Sequence, residues 1–173
     1  HRNLLILKSF NSYLTNQRQK KISSFIVADG LSTDLIELIN GAKKTVLKVG
    51  LSNAPLELIS KVLDQQRQEH NSIEELHIIS HGSKEGIQLG GQVIDENTLI
   101  NNAKTLTNWK IKKLFLWSCE IGINQRFINQ ISLATNAEIF SSQQKIDKNN
   151  AWLLSNKFHQ LHASEIINQN TLN

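Results

Sequence analysis

Apolar residues fall along this chain in two alternating rhythms. Short dense runs of Val, Ile, Leu and Phe predict strands, and stretches where they recur every three or four positions predict amphipathic helices. Phe25-Ile26-Val27-Ala28-Asp29-Gly30 predicts a first strand ending in a turn. Ser32 or Thr33 is placed to cap a helix through Leu35, Ile36, Leu38 and Ile39, with Gly41 near its end. Thr45-Val46-Leu47-Lys48-Val49 predicts a second strand. From about Pro55, Leu56, Ile59, Val62 and Leu63 recur at helical spacing, and Pro55 suits a first helical turn. A third strand runs through Leu76-His77-Ile78-Ile79-Ser80 and delivers His81-Gly82. Ile87-Gln88-Leu89 and Gln92-Val93-Ile94 flank Gly90-Gly91, a pair that permits the positive φ angles of a tight hairpin. Asp95 is a cap for a helix carrying Leu99, Ile100, Ala103 and Leu106. Leu114-Phe115-Leu116-Trp117-Ser118-Cys119 is a fourth principal strand. A helix with Phe127, Ile128, Ile131 and Leu133 follows, then two further strands at Ala137-Glu138-Ile139-Phe140-Ser141 and Ala151-Trp152-Leu153-Leu154.

Strands separated by helices of this length imply an α/β fold, a mostly parallel central sheet flanked by helices. Right-handed crossovers are the default for such units. At 173 residues the chain is expected to hold one main domain. We place it at 24–156, with an N-terminal extension over 1–23 and a C-terminal tail or linker over 157–173. Leu4 to Leu7 is read as a strand or a helical turn, and Ile166 to Asn173 as a mobile end or linker. The chain shows no internal repeat.

Composition narrows the function classes. The net charge of +4 is spread over short pairs such as Lys20-Lys21, Lys43-Lys44 and Lys112-Lys113, without interleaved aromatics. These read as solvated faces, so no nucleic-acid partner is expected. No apolar run reaches the length of a membrane span. No secretory signal pattern opens the chain. A start on His1 reads as a fragment or processed piece of something longer, so the missing pattern fixes no compartment. A single cysteine excludes an internal disulfide framework and a CxxC metal site.

That cysteine and one histidine are the candidate chemistry. Catalytic groups in open parallel sheets gather beyond the carboxyl ends of the strands, and His81 and Cys119 both stand at such ends. If their strands are neighbours, the two side chains emerge at one edge of the sheet. An unassisted thiol is mostly protonated at neutral pH, and a nearby imidazole raises its reactive fraction. The helix beginning near Asn124 presents its N-terminus beside Cys119. The sulfur would attack a carbonyl carbon. His81 would protonate the departing amine and later activate water. The backbone N–H groups of Gly82 and Cys119 would form an oxyanion hole. Taken alone, a cysteine at a strand end is most often a small buried hydrophobe, and His-Gly is common at turns. It is their matching placement that points to catalysis. His77 lies on the same strand face as His81. A two-histidine metal site there lacks a third ligand, so His77 reads as a packed or edge histidine. No metal and no cofactor is called for. His1, His70, His159 and His162 have no motif context. No GxSxG elbow, P-loop or HExxH occurs.

The runs Glu75 to Ser83 and Leu114 to Gly122, the Leu89-Gly90 step, Phe127 to Ser142 and Trp152-Leu153-Leu154 resemble the DUF4347 domain. That domain is similar to the caspase-like (clan CD) cysteine peptidases, which include legumain, gingipain, clostripain and the CHAT proteases. The resemblance spans about Ser24 to Ser155 and keeps the order histidine before cysteine. It implies a caspase-haemoglobinase fold, a His81/Cys119 dyad and an oxyanion site on the Gly82 and Cys119 backbones. It also implies an origin in long bacterial surface or secreted proteins, hence an extracellular or cell-surface location. The sequence departs from the pattern at Lys145-Ile146-Asp147-Lys148-Asn149-Asn150-Ala151, where the family usually carries glycines. Loops in this region help shape the pocket for the substrate residue before the cleaved bond. Asp29 and Asp147 are the acidic substrate-binding candidates for a pocket taking Arg or Lys, although turn and cap formation is the preferred role for both. Ser141 and Ser142 are candidates for the same pocket. Glu120 is expected to cap or hydrogen-bond the following turn.

The reading is a cysteine endopeptidase that hydrolyses peptide bonds of a peptide or protein substrate, its own parent chain being one candidate. The alternative is a catalytically inert caspase-like module for binding or assembly. A transpeptidase or acyltransferase would use the same dyad.

Overall fold

The computed structural model describes residues 22–69 and 72–173. The extension up to residue 21 lies outside the described residues, with the expectations for Leu4 to Leu7 and for His1. His70 also lies outside them.

In chain order the strands are β1 (Ile22–Asp29), β2 (Val46–Val49), β3 (Ser72–Ile79), β4 (Gly82–Ser83), β5 (Gly86–Leu89), β6 (Gln92–Ile94), β7 (Lys113–Trp117), β8 (Glu138–Phe140), β9 (Leu153–Ser155) and β10 (Gln160–His162). Five of them form one sheet in the order β2-β1-β3-β7-β8, and every pairing in it is parallel. The α/β architecture with a central parallel sheet is therefore as expected. The inner strands read as nearly unbroken apolar runs because both of their faces are covered.

On one face Val27, Leu76, Ile78, Leu114 and Leu116 pack against Leu56, Ile59 and Leu63 of the Pro55–Gln68 helix and Phe127 and Ile131 of the Gln125–Thr135 helix. On the other, Ile26, Ile79, Phe115, Trp117 and Phe140 meet Leu154, Ala163, Ile166 and Leu172. Burying one such Leu or Ile side chain fully contributes about 1.5–3 kcal/mol. The Trp109 indole N–H donates to the Leu56 carbonyl (3.1 Å) inside the first layer. The Arg67 guanidinium donates to the carbonyls of Ile73, Trp109 and Lys110, tying that helix to the start of β3.

Several elements differ from the pattern-based expectation, each for a local reason. The helix after β1 opens as a 3-10 turn over Thr33–Leu35 before Ile36–Asn40. The Ser32 hydroxyl donates to Asp29 instead of capping that helix. Asp95 caps as expected, in a reciprocal box with Thr98. Its helix then breaks at Asn102 into Glu96–Asn101 and Ala103–Thr107. The Asn102 side chain folds back onto the Thr98 carbonyl (2.8 Å), a local bond that competes with continuing the helix. Leu133 is 79% exposed, because it lies two residues past Ile131 and so on the opposite side of a 3.6-residue helix. The Gly90-Gly91 hairpin forms with φ of 70° and 83°, and β4 adds a third strand to it.

The largest difference is at the C-terminus. β9 pairs antiparallel with β10 rather than joining the parallel sheet, and reaches it through a bridge between Ser141 and Ser155. The 157–173 stretch, expected as a tail or linker, is part of the packed body. Ile166, Ile167 and Leu172 are buried in the second core layer. Lys43 N–H donates to Ile166 O (2.8 Å) and Asn168 N–H to Gly41 O (2.7 Å). Gly41 allows this closeness, since a Cβ there would lie 2.2 Å from the Thr171 hydroxyl oxygen. No described helix is long and apolar enough to cross a membrane.

Candidate active site

β3 and β7 are neighbours in register, with His77 opposite Phe115 and Ile79 opposite Trp117. The ladder extends one step further, Ser80 N–H donating to Trp117 O (3.3 Å). His81 and Cys119 are the next matched positions. They share the sheet face of Ile79 and Trp117 by the two-residue period of a strand. Between them and the ladder, the Ser80 and Ser118 hydroxyls meet at 2.9 Å, both residues being buried. This bond ties the two strand ends together. It was not anticipated, although the paired Ser80-His81 and Ser118-Cys119 steps carry the signal.

His81 and Cys119 line one cavity of about 100 Å³. Its floor is Ile79 and Trp117, and Leu35 and Leu38 form one wall. Ile146 and Trp152 form a second wall, and Ala163, Ile166 and Ile167 a third. The stretch expected to be a linker therefore builds part of this site. Trp152 is held by its indole N–H on Leu172 O (3.1 Å) and by Ala163 N–H on its own carbonyl (2.9 Å).

The His81 side chain is 44% exposed. Its Nε2 lies 2.8 Å from Asp34 Oδ2 and 3.0 Å from Oδ1. A carboxylate on Nε2 keeps the proton of the neutral ring on that nitrogen and leaves Nδ1 as the basic one. The bond from His81 holds the Asp34 carboxyl below its ordinary range. Asp34 sits in the turn after β1, the strand beside β3. The turn after β1 thus brings Asp34 onto His81 at the end of β3, and His81 shares its cavity with Cys119 from the loop after β7. Sequence reasoning missed Asp34, since strand order is needed to bring residue 34 to residue 81.

The sulfur is engaged by its own surroundings. Ile146 N–H donates to Cys119 Sγ at 3.3 Å. After Cys119 the chain turns sharply at Glu120, whose φ is 62°. Glu120 N–H donates to Gln144 O (3.0 Å) and Gly122 N–H to Ser142 O (2.9 Å), so the cysteine loop is laced to the 142–146 segment. Glu120 shapes the turn through its backbone, its side chain making no capping bond. The helix after the loop begins at Gln125, and Asn124 caps it by accepting from Phe127 N–H.

Gly82 follows His81 directly. Gln88 N–H donates to His81 O (2.8 Å). In antiparallel alternation Gly82, opposite Ile87, is then a non-hydrogen-bonded pair, and its N–H is not taken up by the hairpin. A Cβ on Gly82 would lie 2.7 Å from Ser118 Cβ and 3.3 Å from Cys119 O. Only glycine lets the two strand ends approach this closely.

The other candidates fall elsewhere. Asp29 is buried and accepts from Leu31 N–H (3.1 Å) and the Ser32 hydroxyl, the turn role preferred for it. Asp147 accepts from Asn149 N–H (2.9 Å) and Asn150 N–H (3.1 Å), capping the Lys148–Asn150 turn. Ser142 closes a tight turn with Gln144. Ser141 bridges to Ser155 and faces a separate groove beside Gln125 and Asn129. None of the four lines the cavity of His81 and Cys119.

His77 is packed, as expected. Its Nδ1 accepts from the Trp117 indole N–H (3.0 Å), and its ring stacks on Phe115 at 4.2 Å. Burial lowers its pKa to about 3, so it is neutral at physiological pH. Among the described residues, no three His, Cys, Asp or Glu side chains are grouped to hold a metal ion.

Comparison with known proteins finds no curated protein that matches this chain and no solved structure that matches it. The model of one family does match, "Domain of unknown function (DUF4347)", over residues 25–173, a span that includes His81, Cys119 and the cavity walls. The chain belongs to the DUF4347 family.

Proposed function

We propose that this domain is a cysteine peptidase of caspase-like type. One observation carries the reading: His81 and Cys119, at matched positions beyond neighbouring parallel strands, open into the same cavity. Cys119 is the nucleophile and His81 the base and acid. Asp34 is a positioning residue that orients the imidazole from Nε2.

The chemistry is acyl transfer to water. His81 takes the thiol proton, and the sulfur attacks the scissile carbonyl carbon. The carbonyl oxygen gains negative charge, which the N–H groups of Gly82 and Cys119 would receive. The C–N bond breaks as His81 returns the proton to the amine. The thioester is then hydrolysed by water that His81 deprotonates, releasing the carboxylate and restoring the thiol. The Ile146 N–H holds the sulfur in place for the attack.

The test is cleavage of a peptide library by the wild-type chain and by Cys119→Ala. Cleavage by wild type and none by the variant supports the peptidase. Equal cleavage by both sinks it.

The inert-module reading has one observation in its favour. The 145–151 loop, which supplies Ile146 against the sulfur, lacks glycine, yet Ala151 adopts φ of 59°. A loop that fixes the sulfur as a structural acceptor would suit a binding module. No cleavage across the library, with peptide binding retained, is the result that reading predicts.

A further inference from the structure

We infer that the cavity beside Cys119 is a specificity pocket for a medium-sized aliphatic side chain, so that peptides bearing Leu, Ile or Val there are its substrate class. This rests on the peptidase reading and deepens it.

Three observations carry the inference. First, the walls are apolar: Leu38, Ile146, Trp152 and Ile166 face the space from different elements over a floor of Ile79 and Trp117. Among the described residues, the titratable side chains on the lining are His81 and Cys119. Second, among the described residues no carboxylate lines the cavity. Asp29 and Asp147 are occupied in turns and lie outside the lining, and Asp34 faces His81. A guanidinium placed among these walls would lose its water with no carboxylate on the lining in return, and a carboxylate would meet only the His81 ring, already held by Asp34. An aliphatic side chain gains by leaving water. Third, the size fits. The cavity of about 100 Å³ is smaller than a cavity of about 150 Å³ that accepts benzene, and holds several times a single water. An indole would not enter without movement of the walls.

Two of the lining residues are tryptophans, Trp117 and Trp152, so occupancy has its own optical readout. The experiment pairs binding with cleavage on the full chain. Acetyl-Ala-Ala-Xaa-amides with Xaa as Leu, Ala, Arg or Asp are titrated into Cys119→Ala by tryptophan fluorescence. The corresponding fluorogenic anilides are offered to wild type. The pocket predicts binding of the Leu peptide at least about tenfold tighter than Ala, and about a hundredfold or more over Arg and Asp.

Leu38 is partly exposed on the wall, so it can be changed with little risk to the core. Leu38→Asp should move preference toward Arg, and Leu38→Ala toward Phe. Selective binding of the Leu peptide without cleavage by wild type would keep the pocket and end the peptidase reading. Cleavage favouring Arg or Asp would overturn the pocket and keep the peptidase. Equal affinity for all four peptides, or no binding and no cleavage, would overturn the pocket.

Discussion

The Nε2 of His81 lies 2.8 Å from Asp34 Oδ2, although 47 positions separate the two residues. The contact follows from strand order. β1 and β3 are adjacent, so the turn after one meets the end of the other. The acid thereby holds Nε2, which leaves Nδ1 for the base role proposed for this ring.

Asp34→Asn should lower turnover about 10- to 100-fold with little change in KM. That is less than the loss of about 10⁴ seen for a buried triad carboxylate, because Asp34 is 65% exposed and screened by water. Asp34→Glu should recover part of the rate. Steady-state kinetics on a fluorogenic peptide checks this. Unchanged kcat in Asp34→Asn would remove its positioning role. The lowered Asp34 pKa means the contact persists through the neutral range and is released only as pH falls below the ordinary carboxylate range.

His77 makes stability pH-dependent. Its folded pKa of about 3 lies below the unfolded value near 6.5. The unfolded chain therefore binds more protons between these limits, and stability rises with pH across that window. The contribution is fully present above about 6.5 and falls as the pH drops toward 3. At roughly 1.36 kcal/mol per unit the loss is on the order of 2 kcal/mol by pH 5. Urea denaturation from pH 7 to 4.5 should show this slope, and His77→Gln should flatten it. The same slope in both proteins would place the dependence elsewhere.

Gly82→Ala should destabilise the domain. The added Cβ would meet Ser118 Cβ at 2.7 Å, and overpacking of this kind costs about 1–3 kcal/mol. That corresponds to a Tm lower by about 2–4 °C per kcal/mol in a chain of this size. The shift would also move Cys119 relative to His81, so activity should fall further than stability predicts. A fully stable and active Gly82→Ala would show that the close approach is not needed.

Ala151→Gly should stabilise. Ala151 holds φ of 59°, a region that costs an L-residue roughly 1–2 kcal/mol. Glycine removes that cost but loses about 0.5–1 kcal/mol of its own freedom on folding. The net gain is about 0.5–1 kcal/mol, read as a modest rise in Tm. A fall in Tm would show that the Ala151 methyl makes a contact worth more than the strain.

The parallel sheet was legible because its strands are apolar runs of β-rich composition, separated by helices with residues such as Ile59 and Leu63 at their proper spacing. The placement of His81 and Cys119 just past two neighbouring strands was legible for the same reason, since each terminates such a run. Asp34 was not, because lateral order is decided by tertiary packing and leaves no mark near residue 34. The 157–173 stretch misled for a compositional reason. Its Asn and Gln content hides three anchors, Ile166, Ile167 and Leu172, which are buried against β-strand side chains distant in sequence. Leu133 misled in the opposite direction, an apolar residue at the wrong phase of its helix. The acidic residues Asp29 and Asp147 were correctly legible as turn formers, the role that geometry gives them.

The most direct measurement is the alkylation rate of Cys119 by iodoacetamide at pH 7, in wild type and in His81→Ala. A sulfur activated by the imidazole should react at least about tenfold faster than an unassisted thiol, and His81→Ala should bring it back to the ordinary rate. Equal rates in the two proteins, at the level of a simple thiol, would contradict the pairing of His81 with Cys119.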